Sequence, residues 1–178
     1  MKTTVIELLG GPGCGKSTLA ADIFIQMKRK GVSVEMVPEH VKYWAWDNKP
    51  VGPFDQPYLF GQQVRHESRL YGKVEYIISD SPVIMYPVYE ETYQGHSIIR
   101  HSVLAFIEAT AQKGVVRKAF NLPRVMSYEA VGRFETGRQA QIIDENLEAF
   151  YEAQKYPYMN LGGDPSLWVS TIMNALTD

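Results

Sequence analysis

The stretch GGPGCGKST, Gly10 to Thr18, constrains this chain more than any other. It follows directly on the apolar run TTVIELL and satisfies the spacing G-x-x-x-x-G-K-S/T over Gly10 to Ser17. Its context is the one the pattern needs, a strand before and a helix after. In that setting backbone N–H groups converge on phosphate oxygens at a helix N-terminus, where the dipole favours an anion. Gly10, Gly11, Pro12, Gly13, Cys14, Gly15, Lys16, Ser17 and Thr18 are therefore expected to cradle a nucleotide's phosphates. Lys16 would reach the outer phosphates, and the Ser17 hydroxyl would help hold Mg²⁺. Cys14 occupies a variable position of the pattern, where oxidation would block the nucleotide.

With 178 residues, 45% of them hydrophobic, the chain is expected to form one compact domain with an ordinary core. A single cysteine rules out an internal disulfide, and no apolar run approaches the ~18 to 20 residues of a membrane span. These features point to a soluble protein of a reducing cytosol. A net charge of −2 and a pI near 6.1 argue against nucleic-acid binding over the whole surface, which needs many Lys and Arg contacts. Only a modest basic group, Lys113, Arg117, Lys118 and Arg124, stands out as a local patch.

Apolar periodicity predicts strands at Val5 to Leu9, in VSVEMVPEH, in VEYIIS and in RKAFNLPRV, with a short further segment in YPYMNL. Helices are expected over Ser17 to Lys30, Leu59 to Tyr71, Ile98 to Lys113, Glu135 to Gln154 and Pro165 to Leu176. The aromatic stretch from Tyr43 to Tyr58 reads as a loop or broken helix, and as packing more than as a ring-stacking site. Strands alternating with helices imply an α/β fold, a mostly parallel sheet with helices on both faces and ligands beyond the strands' carboxyl ends. Gly10, Glu39, Asp80 and Gly162 all fall on that rim.

Asp80 closes the third strand, a place suited to a carboxylate that holds Mg²⁺. The rest of the chain lacks a guanine-reading N/T-K-x-D and a D-x-x-G switch, and is short for a motor. A phosphoryl-transfer enzyme needs cations over the moving group, and GRFETGR offers Arg133 and Arg138 in a lid segment around 127–140. Solvated pairing of those arginines with Glu135 or Asp144 is the alternative. Glu39, after the second strand, is placed to orient an acceptor hydroxyl and take its proton.

These residues resemble the deoxynucleoside kinases, whose fold is a three-layer P-loop kinase with a five-stranded sheet. VPEHVKYWAW is similar to the segment where a Glu after the second strand serves as base and an aromatic lines the nucleoside pocket, which implies those roles for Glu39 and Trp44. YLFGQQVRHESRL resembles the base-reading helix, implying that Phe60, Gln62 or Gln63 and Arg69 face the acceptor. GRFETGRQAQIIDENLEAF is similar to the arginine lid, and YPYMNLGGD to the last strand and the loop beside the donor adenine. The pattern Q-x-x-R-x-x-x-R-L-x-G, followed by strand, Asp-Ser-Pro and a GR lid, also resembles small bacteriophage P-loop kinases related to thymidylate kinases. That resemblance implies ATP and Mg²⁺ as cofactors, an alcohol-group acceptor and a location in host cytoplasm, and it allows a homodimer. It further implies that the acceptor is 5-hydroxymethyluracil in DNA, with a free deoxynucleoside or its monophosphate as the alternative. A nucleotide-binding switch or ATPase without an acceptor is the reading of another class.

Overall fold

The computed structural model describes residues 1–52, 54–125, 127–129 and 134–177. Five strands, β1 (Thr4–Leu9), β2 (Val34–Val37), β3 (Tyr76–Ser79), β4 (Val116–Asn121) and β5 (Tyr158–Asn160), form one parallel sheet in the order β2-β3-β1-β4-β5. The register sets Thr4 against both Tyr76 and Val116, so β1 lies between β3 and β4. The loop leaving β1 thus emerges where the strand order reverses, the crevice in which open parallel sheets bind ligands.

Among the described residues the helices are α1 (Lys16–Arg29), α2 (Val41–Trp46), α3 (Asp55–Ser68), α4 (Tyr86–Gln94), α5 (Arg100–Gln112), α6 (Gly137–Ala153) and α7 (Trp168–Thr177). Side chains of alternate strand positions feed opposite faces. Ile6, Leu8, Ile78 and Phe120 pack under α1 and α7 with Ile23, Met27 and Ile172. Leu9 and Ala119 meet Ile143, Leu147 and Tyr151 of α6 on the other side. Both faces are covered, which is why the strands read as nearly continuous apolar runs.

Several expected boundaries move. The stretch 43–58 is a broken helix, with α2 running only to Trp46 and α3 starting at Asp55, four residues before Leu59. The Asp55 carboxylate accepts the Gly52 N–H at 2.7 Å, which fixes the entry to α3. β4 stops at Asn121 rather than running to Val125, since Pro123 has no N–H to give a ladder. SPVIMYPVYEETYQGH, unassigned in the sequence, forms a 3₁₀ turn at Val83–Met85 and then α4.

Candidate active site

The loop after β1 wraps back into α1, with Gly13 at φ +85° and Gly15 at φ +91°, conformations that disfavour side chains. Because α1 begins at Lys16, the N–H groups of its first turn face the crevice without intrahelical partners. Lys16 Nζ donates to the carbonyls of Gly10 at 2.6 Å and Gly11 at 2.7 Å, so the ammonium is held at the centre of the loop.

Ser17 Oγ donates to Asp80 Oδ2 at 2.8 Å. Asp80 is buried, and its Oδ1 has no hydrogen-bond partner among the described residues. A buried carboxylate oxygen with free lone pairs, beside a hydroxyl and a phosphate-type loop, fits the oxygen donors that Mg²⁺ takes. No group of three His, Cys, Asp or Glu gathers among the described residues. Mg²⁺ needs none, since it keeps waters and substrate phosphates in its shell.

A cavity of about 460 Å³ opens from this point. Its wall includes Pro12, Gly13, Gly15, Lys16, Ser17 and Thr18 of the phosphate loop and α1. Glu39 and Asp80 line it as well. Trp46, Val51, Gln56, Leu59, Tyr86, Tyr89 and Tyr93 add to the wall, with Phe134 and Glu135 from the segment before α6. Tyr93 donates its hydroxyl to a Glu135 carboxylate oxygen, which ties α4 to that segment.

Glu39 lines this wall and is half-buried. Burial raises its pKa to about 7, with Asp80 and Glu135 adding to the rise and Lys16 and Lys42 opposing it. At neutral pH the group is therefore poised between proton donor and acceptor. Burial likewise lifts the Tyr86 and Tyr89 phenols, which stay neutral and available as donors.

The structure thus brings Lys16, Ser17, Glu39 and Asp80 together. Other expected positions fall elsewhere. Trp44 is buried with Leu59, Tyr86 and Val103, stacks on Tyr58 at 5.9 Å and carries Lys49 Nζ 3.4 Å over its ring. Trp46, 60% exposed, borders the cavity in its stead. Phe60 packs against Tyr86 and Phe106 outside the cavity wall. Gln63 is fully buried with Nε2 donating to Ser79 Oγ at 3.1 Å, Gln62 is half-buried, and Arg69 is exposed beyond the end of α3. Helix α3 starts early, at Asp55, and it is Gln56 and Leu59 that it contributes to the cavity wall.

Arg138 is exposed in the first turn of α6 and outside the cavity wall, and Arg133 lies outside the described residues. Asp144 pairs with Arg124 at 2.7 Å. Gly11 and Cys14 turn toward Asp144, on the loop's outer side. The supposed basic group does not form a patch. Arg117 is buried in ion pairs, Lys118 Nζ donates to the Ala175 carbonyl at 2.5 Å, and Arg124 is held by Asp144.

Gln56, Lys42, Trp46 and the tyrosines of α4 are among the cavity residues the sequence reading missed. The spacing of Tyr86, Tyr89 and Tyr93, three and then four residues, is the signal that marks them as one helix face.

Residues 5–166 match the family model described as AAA domain. The chain belongs to the AAA domain family. No curated protein matches the sequence. This AAA domain shares its fold with deoxyadenosine kinase from M. mycoides. The structure with bound dATP superposes with a TM-score of 0.64 at 18% identity, covering 98% of this chain and 100% of that one. The structure with the products dCMP and a flexible dCDP gives 0.62 at 18% identity, covering 97% and 98%. The P-loop kinase fold with its five-stranded parallel sheet is thereby established for this chain. Among the described residues no helix is long and apolar enough to cross a membrane.

Proposed function

We propose that this AAA domain is an ATP- and Mg²⁺-dependent kinase that phosphorylates a hydroxyl of a deoxynucleoside-type acceptor. The observation that carries the reading is Glu39, a carboxyl with a pKa of about 7 in the same cavity as the phosphate loop. An ATPase could use such a base on water, so what favours an organic acceptor is the aromatic lining, Trp46, Tyr86, Tyr89 and Tyr93, that shares the cavity with Glu39. Support also comes from the fold relative, which holds dATP in one structure and dCMP and dCDP in the other.

On this reading the loop and Lys16 grip the donor phosphates, while Ser17 and Asp80 would hold Mg²⁺, which would supply charge neutralisation to the phosphoryl group. Trp46, Leu59 and Val51 enclose the acceptor's ring, and Gln56 offers both a donor and an acceptor to a base edge. Glu39 orients the acceptor hydroxyl and takes its proton as that oxygen bonds to the γ-phosphorus and the bond to ADP breaks. Arg133 and Arg138 would stabilise the charge in flight from the lid.

A second reading, the hydroxymethyl of 5-hydroxymethyluracil in DNA, is favoured by one feature. Trp46, Tyr43 and Phe54 are 60%, 60% and 65% exposed, aromatic surface on which flanking bases could stack. The internally paired Arg117, Lys118 and Arg124 weigh against it. γ-Labelled ATP offered with deoxynucleosides, their monophosphates and 5-hydroxymethyluracil DNA separates the cases. Label in free deoxynucleosides supports the first reading, and label in DNA alone replaces it by the second. ATP hydrolysis indifferent to every acceptor would overturn both.

A further inference from the structure

The buried face of α6 runs through Ala140, Ile143, Leu147, Phe150 and Tyr151. Asp144, four residues beyond Ala140, shares that face, and a carboxylate there needs a partner. It has three. Oδ1 accepts the Gly11 N–H at 2.7 Å and a weaker bond from Cys14 Sγ at 3.6 Å, while Oδ2 accepts Arg124 Nε at 2.7 Å. The phosphate loop, the exit of β4 and α6 therefore meet on one carboxylate.

The loop is shaped for this contact. A Cβ at Gly11 would come within 2.4 Å of Asp144 Oδ1, and one at Gly13 within 2.9 Å of the Tyr128 ring. The Gly10 carbonyl and the Gly11 N–H belong to a single peptide plane. Its oxygen is held by Lys16 Nζ at 2.6 Å and its N–H by Asp144 at 2.7 Å. A rotation of that plane would withdraw the carbonyl from the ammonium, so Asp144 governs where Lys16 sits.

We infer that Asp144 is a positioning residue for nucleotide binding, fixing the Gly10–Gly11 peptide and through it Lys16, with Arg124 neutralising its charge beside an anionic ligand. This rests on the phosphate loop holding ATP, as the proposed function requires. Glycine-rich backbone loses much freedom when it is ordered. A loop already held from its outer side is spared part of that cost when phosphate arrives.

Calorimetric titration with MgATP tests the inference without an acceptor, alongside thermal unfolding of each variant. Asp144→Leu, close in shape but without an acceptor oxygen, is expected to weaken ATP binding about tenfold or more. Asp144→Asn keeps one acceptor and is expected to restore part of that loss. Where turnover is measurable, KM for ATP rises and KM for the acceptor stays within about twofold. Should Asp144→Leu fail to fold, the Asn variant alone decides, with about threefold weaker ATP binding expected. Unchanged ATP affinity with only a lower melting point would overturn the inference, as would an Asn variant no better than a folded Leu one. Failure of wild-type protein to bind ATP would instead sink the proposed function itself.

Discussion

Glu39 shows how one position's surroundings decide its chemistry. Desolvation raises its carboxyl to about pH 7, so kcat/KM should climb roughly tenfold per pH unit below that value and level off above it. Glu39→Gln is expected to lower turnover by about 10² to 10⁴ while ATP still binds. Stability should move the other way. The folded pKa exceeds that of the free group, 4.5, so this group's contribution is fully present below pH 4.5 and lost as pH rises through about 7. The Gln variant should therefore melt higher than wild type at pH 8, by on the order of 10 °C, and level with it at pH 4. A pH-independent difference would contradict the burial argument. Cys14 offers a second check at this scale. Burial and the neighbouring Asp144 charge raise its thiol pKa, and the residue is only 1% exposed. Alkylation of the native protein at pH 7.5 should be far slower than after unfolding, which mass spectrometry can follow.

Two tryptophans two residues apart on a helix point to nearly opposite sides, since each residue turns the helix by about 100°. In α2 one of them must enter the core and the other the cavity, and a six-residue helix carries too little periodicity for the sequence to say which. Trp44 takes the core. Trp44→Ala should cost about 3–5 kcal/mol, read as a fall in melting temperature on the order of 10 °C. Trp46→Ala should leave the melting point within about 2 °C, raise KM for the acceptor about tenfold and spare KM for ATP. The reverse pattern would return the pocket wall to Trp44. The same ambiguity of phase governed how much could be read from residues alone. Strands buried on both faces appear as apolar runs, and the phosphate loop is fixed by its own spacing, so β1, α1 and the rim positions Glu39 and Asp80 were legible. Helix α4 was not. Pro87 and Gly95 look like loop punctuation, yet Pro is tolerated in a first turn and Gly95, at φ +75°, closes the helix. Gln56 escaped notice because the entry to α3 depends on Asp55 bonding back to Gly52, a contact that no periodic pattern reports.

Across the whole molecule the face of the sheet toward α3 and α5 is not wholly apolar. Arg117 of β4 reaches Glu7 of β1 at 2.6 Å and Glu67 of α3 at 2.5 Å, and all three side chains are buried. Tyr156 donates to Glu7 at 2.5 Å, and Tyr71 donates to Glu67. Burial raises the Glu7 carboxyl, with Arg117 as the chief opposing influence. One guanidinium thus ties the strand that feeds the phosphate loop to its neighbour and to the helix that borders the cavity. Removing it leaves two buried carboxylates facing each other with no cation between them. Arg117→Met is therefore expected to cost about 3–5 kcal/mol at pH 8, the range for breaking a buried pair from one side. The loss should shrink toward pH 5, because carboxyls without their cation take up protons more readily in the folded state than in the unfolded one, and folding gains from that uptake as pH falls. Adding Glu7→Gln and Glu67→Gln should recover much of the stability at pH 8, since amides of similar shape carry no charge to desolvate. Urea unfolding of the single and triple variants at both pH values measures this. An equal loss at pH 5 and pH 8 would mean that Arg117 acts through packing against Phe106, whose ring lies 5.7 Å from the guanidinium carbon, and that charge is not what joins the sheet to its helices.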